Sequence, residues 1–415
     1  MGQRKLVPWE PLVVATIFSK EIAGWQIAGS YVDLYQLALG LVGLIVMPNL
    51  RVIRIVTVIA VGMAGLSFGL LTAQGYSHEV LLRQLLPAYV IYMGIGSLLM
   101  RCRPSRLLRQ YLGFSVAAAL LGLIQVATSA AGINLLVKQA GELDSVALEP
   151  SHFAVIVAPA FGILLAHTRI TLLGRDTWKL GILLASLLLT KSLTAMALIL
   201  VCGALASKKK LGMLAMIIVG VALPYVFILT PELQSERVQE RVEAFDVFLG
   251  NSPSYEATNL TVKSLATNLD VAKYTLGRRR WFGNGFGGHQ FAYEEHFAGT
   301  PFTFEKWYGI NSLSAHSLSI RTLSEFGIPG AILLVWFLVK CLRRSGAPAP
   351  YGDIWALSFI YFVARSFKLG SLVDYGCPFF FIAPFAVRAT ALAARRRLAA
   401  AEALHNDTSL APSPA

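Results

Sequence analysis

Apolar positions in this chain come in long unbroken runs, with neither the strict alternation of half-buried strands nor the narrow stripe of a soluble helix. About 20 apolar residues in helical conformation cover the hydrocarbon core of a bilayer. Windows of that kind fall at about 11–28, 32–48, 52–72, 80–100, 107–129, 152–168, 211–229, 326–342, 354–373 and 377–393. The run 181–206 is too long for one crossing and too short for two. Its polar interruption, Thr190-Lys191-Ser192-Leu193-Thr194, predicts a broken short hairpin of two helices, about 178–190 and 192–206. Loop backbone is not tolerated against lipid, so the turn between them must face a wet cavity. The pattern predicts an all-α, polytopic membrane protein with about 12 transmembrane helices.

Basic residues set the sidedness of such a chain. Arg4 and Lys5, Arg51 and Arg54, the arginines from Arg101 to Arg109, and His167 to Lys179 fall on one side when spans alternate. Counting the broken run as two crossings brings Lys208-Lys209-Lys210 and Arg395-Arg396-Arg397 to the same side, so both termini are expected in the cytoplasm. Glu10, Lys20 and Glu21 interrupt the first apolar stretch, which therefore reads as a retained helix and not as a signal peptide. The chain divides into helices 1–9 over residues 1–229, a large outer loop over 230–325, helices 10–12 over 326–397, and a polar tail over 398–415 expected to be disordered. Inside the loop, Val262, Leu265, Leu269, Ala272 and Leu276 recur at helical spacing, predicting an amphipathic helix over 255–276 able to lie along the membrane or to cover a cavity.

Composition narrows the classes further. The 415 residues are 55% hydrophobic and only 14% charged, against roughly 25% charged in soluble domains, and mean hydropathy is +0.61. A soluble enzyme and a disordered chain are excluded, and the continuous runs exclude a membrane β-barrel. The net charge of +13 would suggest nucleic acid in a soluble protein; here it is what orients the spans, and no nucleic-acid partner is expected. Cys102, Cys202, Cys341 and Cys377 have neither a disulfide framework nor metal-ligand spacing. No metal and no cofactor are expected.

Ionisable residues at membrane depth are costly and mark candidate sites. They are Lys191 in the broken run, Arg83 near the outer end of the fourth span, and Arg365 and Lys368, three apart in the eleventh. At the outer mouth of the sixth span stand Glu149, Pro150, Ser151, His152 and Phe153. A carboxylate beside an imidazole can bind or deprotonate a hydroxyl; the alternative is a helix cap, with Ser151 as N-cap and Glu149 facing the dipole. Residues 277–291, GRRRWFGNGFGGHQF, set Arg278, Arg279 and Arg280 before a glycine-rich turn. Guanidinium forks match phosphate oxygens, and glycines let backbone N–H groups approach an anion. The same patch also suits anionic headgroups. Residues 314–334, SAHSLSIRTLSEFGIPGAILL, place His316 ahead of a helix carrying Arg321 and Glu325.

Together these segments resemble the bacterial O-antigen polymerase and O-antigen ligase family of inner-membrane glycosyltransferases. AHSLSIRTLSEFGIPG is similar to the family's His-(Asn/Ser)-x-x-Leu…Glu-x-Gly-x-x-Gly motif after the large periplasmic loop, and FGNGFGG to its Gly-x-Gly-x-Gly turn. EPSHFA, residues 149–154, looks more like the polymerase branch than the ligase branch. KSLTAMALIL stands where the family has Ser-Arg or Ser-x-Thr-Ala after a short helix. The resemblance covers about 145–345 closely and the first five spans only in general character. Lys191 occupies a position often held by Arg, and Lys263 is the nearest basic residue to the family's Arg at the start of the outer-loop helix. Lysine keeps the charge but loses the fork.

The resemblance implies a donor glycan on undecaprenyl pyrophosphate, an acceptor sugar hydroxyl on a second lipid-linked repeat unit, and metal-independent transfer with inversion at the periplasmic face. His316 or Glu149 would take the acceptor proton. Arg278, Arg279, Arg280 and Lys191 would hold the departing pyrophosphate, with Arg83, Arg365 and Lys368 as lesser candidates for the same role. Lys263, Ser151, His152, Arg321 and Glu325 complete the expected substrate-binding set. Membrane lipid, a chain-length regulator and a flippase are the expected partners. The rivals are a ligase that transfers glycan to lipid A core or to protein, and a flippase for lipid-linked sugars; the long one-sided loop argues against the flippase.

Overall fold

A computed structural model of the chain describes residues 8–27, 30–133, 145–147, 149–167, 176–206 and 253–390, with Leu143, Leu392 and Ala399. The span expected at 211–229, the first part of the outer loop, the Lys208-Lys209-Lys210 and Arg395-Arg396-Arg397 clusters and the tail apart from Ala399 lie outside the described residues.

Helices α1 (Glu10–Ala15) and α2 (Lys20–Ala23) lead into an antiparallel pair, β1 (Gly24–Ile27) and β2 (Ser30–Asp33), with Trp25 opposite Val32. Then follow α3 (Leu34–Val46), α4 (Leu50–Ala73), α5 (Glu79–Leu99), α6 (Pro104–Ala130), α7 (Pro150–His167), α8 (Thr177–Leu189) and α9 (Leu193–Ala206). Beyond the undescribed stretch come α10 (Leu260–Gly277), α11 (His289–Phe297), α12 (Leu318–Ser345), α13 (Tyr351–Phe367) and α14 (Cys377–Thr390). Among the described residues, five helices (α4, α5, α6, α7 and α12) are long and apolar enough to cross a membrane, and α3, α8, α9 and α14 are shorter apolar helices. The protein is an α-helical membrane protein.

Two expected spans take a different form. The stretch 11–28 is not one helix: after α1 and α2 the chain turns into the hairpin. A continuous helix would push Glu10, Lys20 and Glu21 against lipid, which is expensive. The broken form gives them protein partners, Glu10 accepting the Arg103 N–H at 3.0 Å and Lys20 pairing with Asp374 at 2.5 Å. Asp33 then starts α3 as its N-cap, accepting from the Gln36 N–H at 3.1 Å and from the Ser19 hydroxyl at 2.7 Å. The eleventh span also ends early. The chain leaves α13 at Lys368, whose φ of −145° and ψ of 150° are extended, and Leu369, Tyr375 and Gly376 take positive φ before α14 begins. Arg365 and Lys368 are therefore not on one helix face.

The interruption at 190–192 is where the polar residues put it. Lys191 has a left-handed φ of 50°, and its N–H donates to Leu188 O at 3.1 Å. The outer-loop helix is found as α10, capped by Asn259, which accepts from the N–H groups of Thr261 at 2.9 Å and Val262 at 3.2 Å. At the centre of the bundle α7 packs against α6, α8, α9 and α13, and its residues Phe153 to Ala160 are buried. An all-round apolar helix of that kind belongs in the core, and it holds the Glu149 end of the site fixed.

Candidate functional site

Three irregular segments and the short helix α2 meet at the Glu149 end of α7: the approach to α7, the turn before α12 and the loop between α13 and α14. Lys368 reaches across to Glu149, with Nζ 2.9 Å from Oε2. The same oxygen lies 3.6 Å from His152 Nε2 and accepts the Ser151 hydroxyl at 3.1 Å. Ser151 thus serves the carboxylate and not the helix end as an N-cap; it is the Glu149 carbonyl that accepts the N–H groups of His152 at 3.0 Å and Phe153 at 3.2 Å. On its other ring nitrogen His152 stands 3.1 Å from the Tyr375 hydroxyl, which also bonds Glu21. Lys20 pairs with Asp374 and lies 4.7 Å over the Tyr375 ring.

His316 is brought to this group by strained backbone. Asn311, Ala315 and His316 have φ of 56°, 56° and 58°, each costing about 1–2 kcal/mol for a residue with a Cβ. The turn is clamped by Gly370: a Cβ there would lie 1.7 Å from Ser314 O, so only glycine lets the loop after Lys368 lie against it. His316 Nδ1 is 2.9 Å from Ser264 Oγ on α10, which also accepts from Asn311 at 2.8 Å. A neutral His316 that donates its Nδ1–H to Ser264 presents the Nε2 lone pair.

Burial and charge together set the protonation states. Burial, with the Lys368 ammonium, pushes His316 down to about 3, and Glu149 offsets only part of this. Burial alone would raise Glu149, but His152, Lys368 and the hydrogen bonds outweigh it and hold the carboxyl at about 2. At neutral pH His316 is an uncharged imidazole and Glu149 an ionised carboxylate, and both feel the charge of Lys368.

Arg365 is wholly buried and braces this site. It donates to the Tyr361 hydroxyl at 2.8 Å, to Asp374 O at 2.9 Å and to Ser371 O, so its fork holds the α13–α14 loop in shape. Arg321 pairs with Glu325 at 3.0 Å, bonds Gln84 and Gly370 O, and lies 5.1 Å over the Phe286 ring.

The glycine-rich turn is a packing device. The N–H groups of Asn284 and Gly285 donate to Ser324 O and Glu325 O, both at 2.9 Å, and that of Phe286 to Ser67 Oγ at 2.9 Å. In return the Ile328 N–H donates to Trp281 O at 2.9 Å. Gly327, with φ 61° and ψ −151°, kinks α12 at this contact, and a Cβ there would lie 2.0 Å from Trp281 O. Thus FGNGFGG and SEFGIPG lock backbone to backbone, and these N–H groups have protein acceptors where an anion cradle would leave them open.

The remaining predicted residues lie elsewhere. Arg280 forms a two-pronged pair with Glu295, with contacts of 3.0 and 3.2 Å, and also bonds Tyr76 and Asn284. Although burial opposes it, Tyr76, Arg280 and Tyr274 hold Glu295 at about 2. Arg278 and Arg279 are exposed at the end of α10. A rise of about 1.5 Å per residue puts Arg278 roughly 20 Å along the helix from Ser264, the His316 partner. Lys263 pairs with Glu305 at 2.8 Å, and Arg83 with Glu79 on the surface of α5. Lys191 is exposed, and its turn is tied to the approach to Glu149 by the bond from Leu143 N to Leu189 O at 3.3 Å. Among the described residues no three His, Cys, Asp or Glu side chains group as metal ligands.

Of the predicted set, the structure gathers Glu149, Ser151, His152, His316 and Lys368, with Arg365 and Arg321 bracing them. It adds Lys20, Glu21, Asp374 and Tyr375. The first two carried a signal, since paired charges inside an apolar run mark a site by the same rule that flagged Lys191. No family model matches the chain, and no curated protein matches it.

Proposed function

We propose that the protein is a membrane glycosyltransferase that joins lipid-pyrophosphate-linked oligosaccharide repeat units into O-antigen or exopolysaccharide, working at the periplasmic face of the bacterial inner membrane. In this reading the chain has twelve spans and cytoplasmic termini, and α10 and α11 face the periplasm. The observation that carries it is the meeting of Glu149, Lys368 and His316, which brings together EPSHFA and AHSLSIRTLSEFGIPG, two of the segments on which the family resemblance rests.

In the reaction the acceptor hydroxyl loses its proton to His316 Nε2 while its oxygen attacks the anomeric carbon of the donor. The bond from that carbon to the diphosphate oxygen breaks, and its electron pair leaves with the diphosphate. Lys368 offsets the charge that grows there, and Lys191, exposed at the α8–α9 turn, is the second cation that this reading assigns to the diphosphate. A lipid diphosphate is a good leaving group, so positioning and one or two ammonium charges supply the catalysis. Occupation of Lys368 by the anion also removes a cation that depresses His316 and Glu149, so donor binding makes both better bases. Arg278, Arg279 and Arg280 take no part in holding the diphosphate.

Purified protein supplied with lipid-linked repeat units should build polymer ladders, with or without EDTA, and His316→Ala should abolish them. Ladders that disappear in EDTA would defeat metal-free transfer. Glycan appearing on lipid A core would make the protein a ligase, and scrambled lipid without new glycosidic bonds would make it a transporter.

A further inference from the structure

The turn that closes α10 has a chemistry that the reaction does not use. Arg278 and Arg279 are exposed, and Trp281 and Phe282 behind them are 51% and 59% exposed. Two spanning helices fix the level of this turn. Trp281 O accepts the Ile328 N–H at 2.9 Å, where the apolar stretch of α12 begins, and Gln74, just past the end of α4, reaches Gly283 O at 3.5 Å. Away from this rim the outer faces of both helices are apolar and exposed, with Val58 and Val61 on α4 and Ile332 and Leu333 on α12. An indole held at the rim of two spans belongs at headgroup depth, where amphipathic Trp and Tyr are favoured, and the phenyl ring beside it adds apolar contact. Guanidinium groups beside them face phosphate. Arg279 is exposed with a left-handed φ of 60°, and Arg278 donates its Nε–H to the Tyr274 hydroxyl at 3.1 Å with its guanidinium 5.2 Å over that ring. The third arginine, Arg280, is turned inward to Glu295.

We propose that Arg278, Arg279, Trp281 and Phe282 form an interfacial anchor that binds the phosphate headgroups of anionic phospholipid at the rim of α4 and α12. The anchor seats the far end of α10 on the bilayer while the near end holds His316 through Ser264. It does not depend on the glycosyl-transfer reading, because its readout is lipid contact.

The test uses the full chain in nanodiscs containing phosphatidylglycerol or phosphatidylcholine brominated near the glycerol backbone. The Trp281 emission is isolated by subtracting the Trp281→Phe variant. Trp281 should be quenched, and more strongly by the brominated phosphatidylglycerol. Replacing both arginines (R278Q with R279Q) should cut that preference at least about fivefold, the effect of about one surface arginine. Unquenched Trp281 emission in both lipids places the turn in water and overturns the anchor. Equal quenching by the two lipids in the unsubstituted protein, or an unchanged preference in the double variant, overturns its anion recognition. The first two outcomes need only the unsubstituted protein and Trp281→Phe, which keeps an aromatic ring at this exposed position, and they stand even if the double variant fails to fold.

Discussion

The Lys368 ammonium meets the Glu149 carboxylate at 2.9 Å, joining the loop after α13 to the approach to α7. Lys368 is buried and Glu149 about one-third exposed, so the pair is shielded on one side and open on the other. An anion arriving from the open side competes for the same ammonium.

Removing one partner of such a pair leaves a charge without its counter-ion. Lys368→Met should lower stability by about 1–3 kcal/mol, and adding Glu149→Gln should restore part of the loss. Melting temperatures of the two single variants and the double variant close the cycle; strictly additive losses would mean that the contact is not energetically coupled.

Acid should destabilise the protein in a defined window. The folded protein keeps His316 unprotonated down to about 3, whereas the unfolded histidine binds its proton near 6.5. Stability present above pH 6.5 is therefore lost as pH falls towards 3, at about 1.4 kcal/mol per pH unit for one proton. Glu149 adds to the loss between its ordinary 4.5 and about 2. In His316→Gln the melting temperature should be flatter between pH 6.5 and 4.5, above the range where Glu149 contributes.

Gly327 should tolerate no side chain. Its φ of 61° with ψ of −151° belongs to glycine alone, and a Cβ would lie 2.0 Å from a backbone oxygen. Gly327→Ala should cost about 3 kcal/mol or more, or prevent accumulation of folded protein. Gly346, whose added Cβ would meet nothing within 4 Å, is the control, and Gly346→Ala should change the melting temperature little.

Lys191 separates a binding role from a structural one. Its φ of 50° is left-handed and its side chain is exposed, so Lys191→Gly relieves strain without opening a cavity. Stability should be unchanged or rise by up to about 1 kcal/mol. If Lys191 meets the diphosphate, the KM for the donor rises in this variant; an unchanged KM would remove Lys191 from the site.

Much of the helical pattern was legible in the chain. Runs such as 52–72 and 107–129 announce α4 and α6 because lipid rewards apolar length without regard to partners. The break at Lys191 was legible for the same reason, since polar residues interrupt a run that lipid would otherwise keep apolar. The extent of α1 and α13 was not. Lys20 starts a new helix after α1 and Lys368 leaves α13, and each meets a distant acid, Asp374 for one and Glu149 for the other.

The candidate site divides the same way. His316 and Glu149 are visible by type and by motif, but only the fold brings Lys368 onto Glu149 and close enough to His316 for its charge to be felt. The run of three arginines looks like a single phosphate-binding feature in sequence. The fold turns Arg280 inward to Glu295 and leaves Arg278 and Arg279 outside. The sequence by itself determined that this is a helical membrane protein, because hydrophobic length is a local property that each segment carries alone. Only the tertiary structure decided which charges face one another, because an ion pair is made by approach in space, and neither residue type nor spacing encodes that approach.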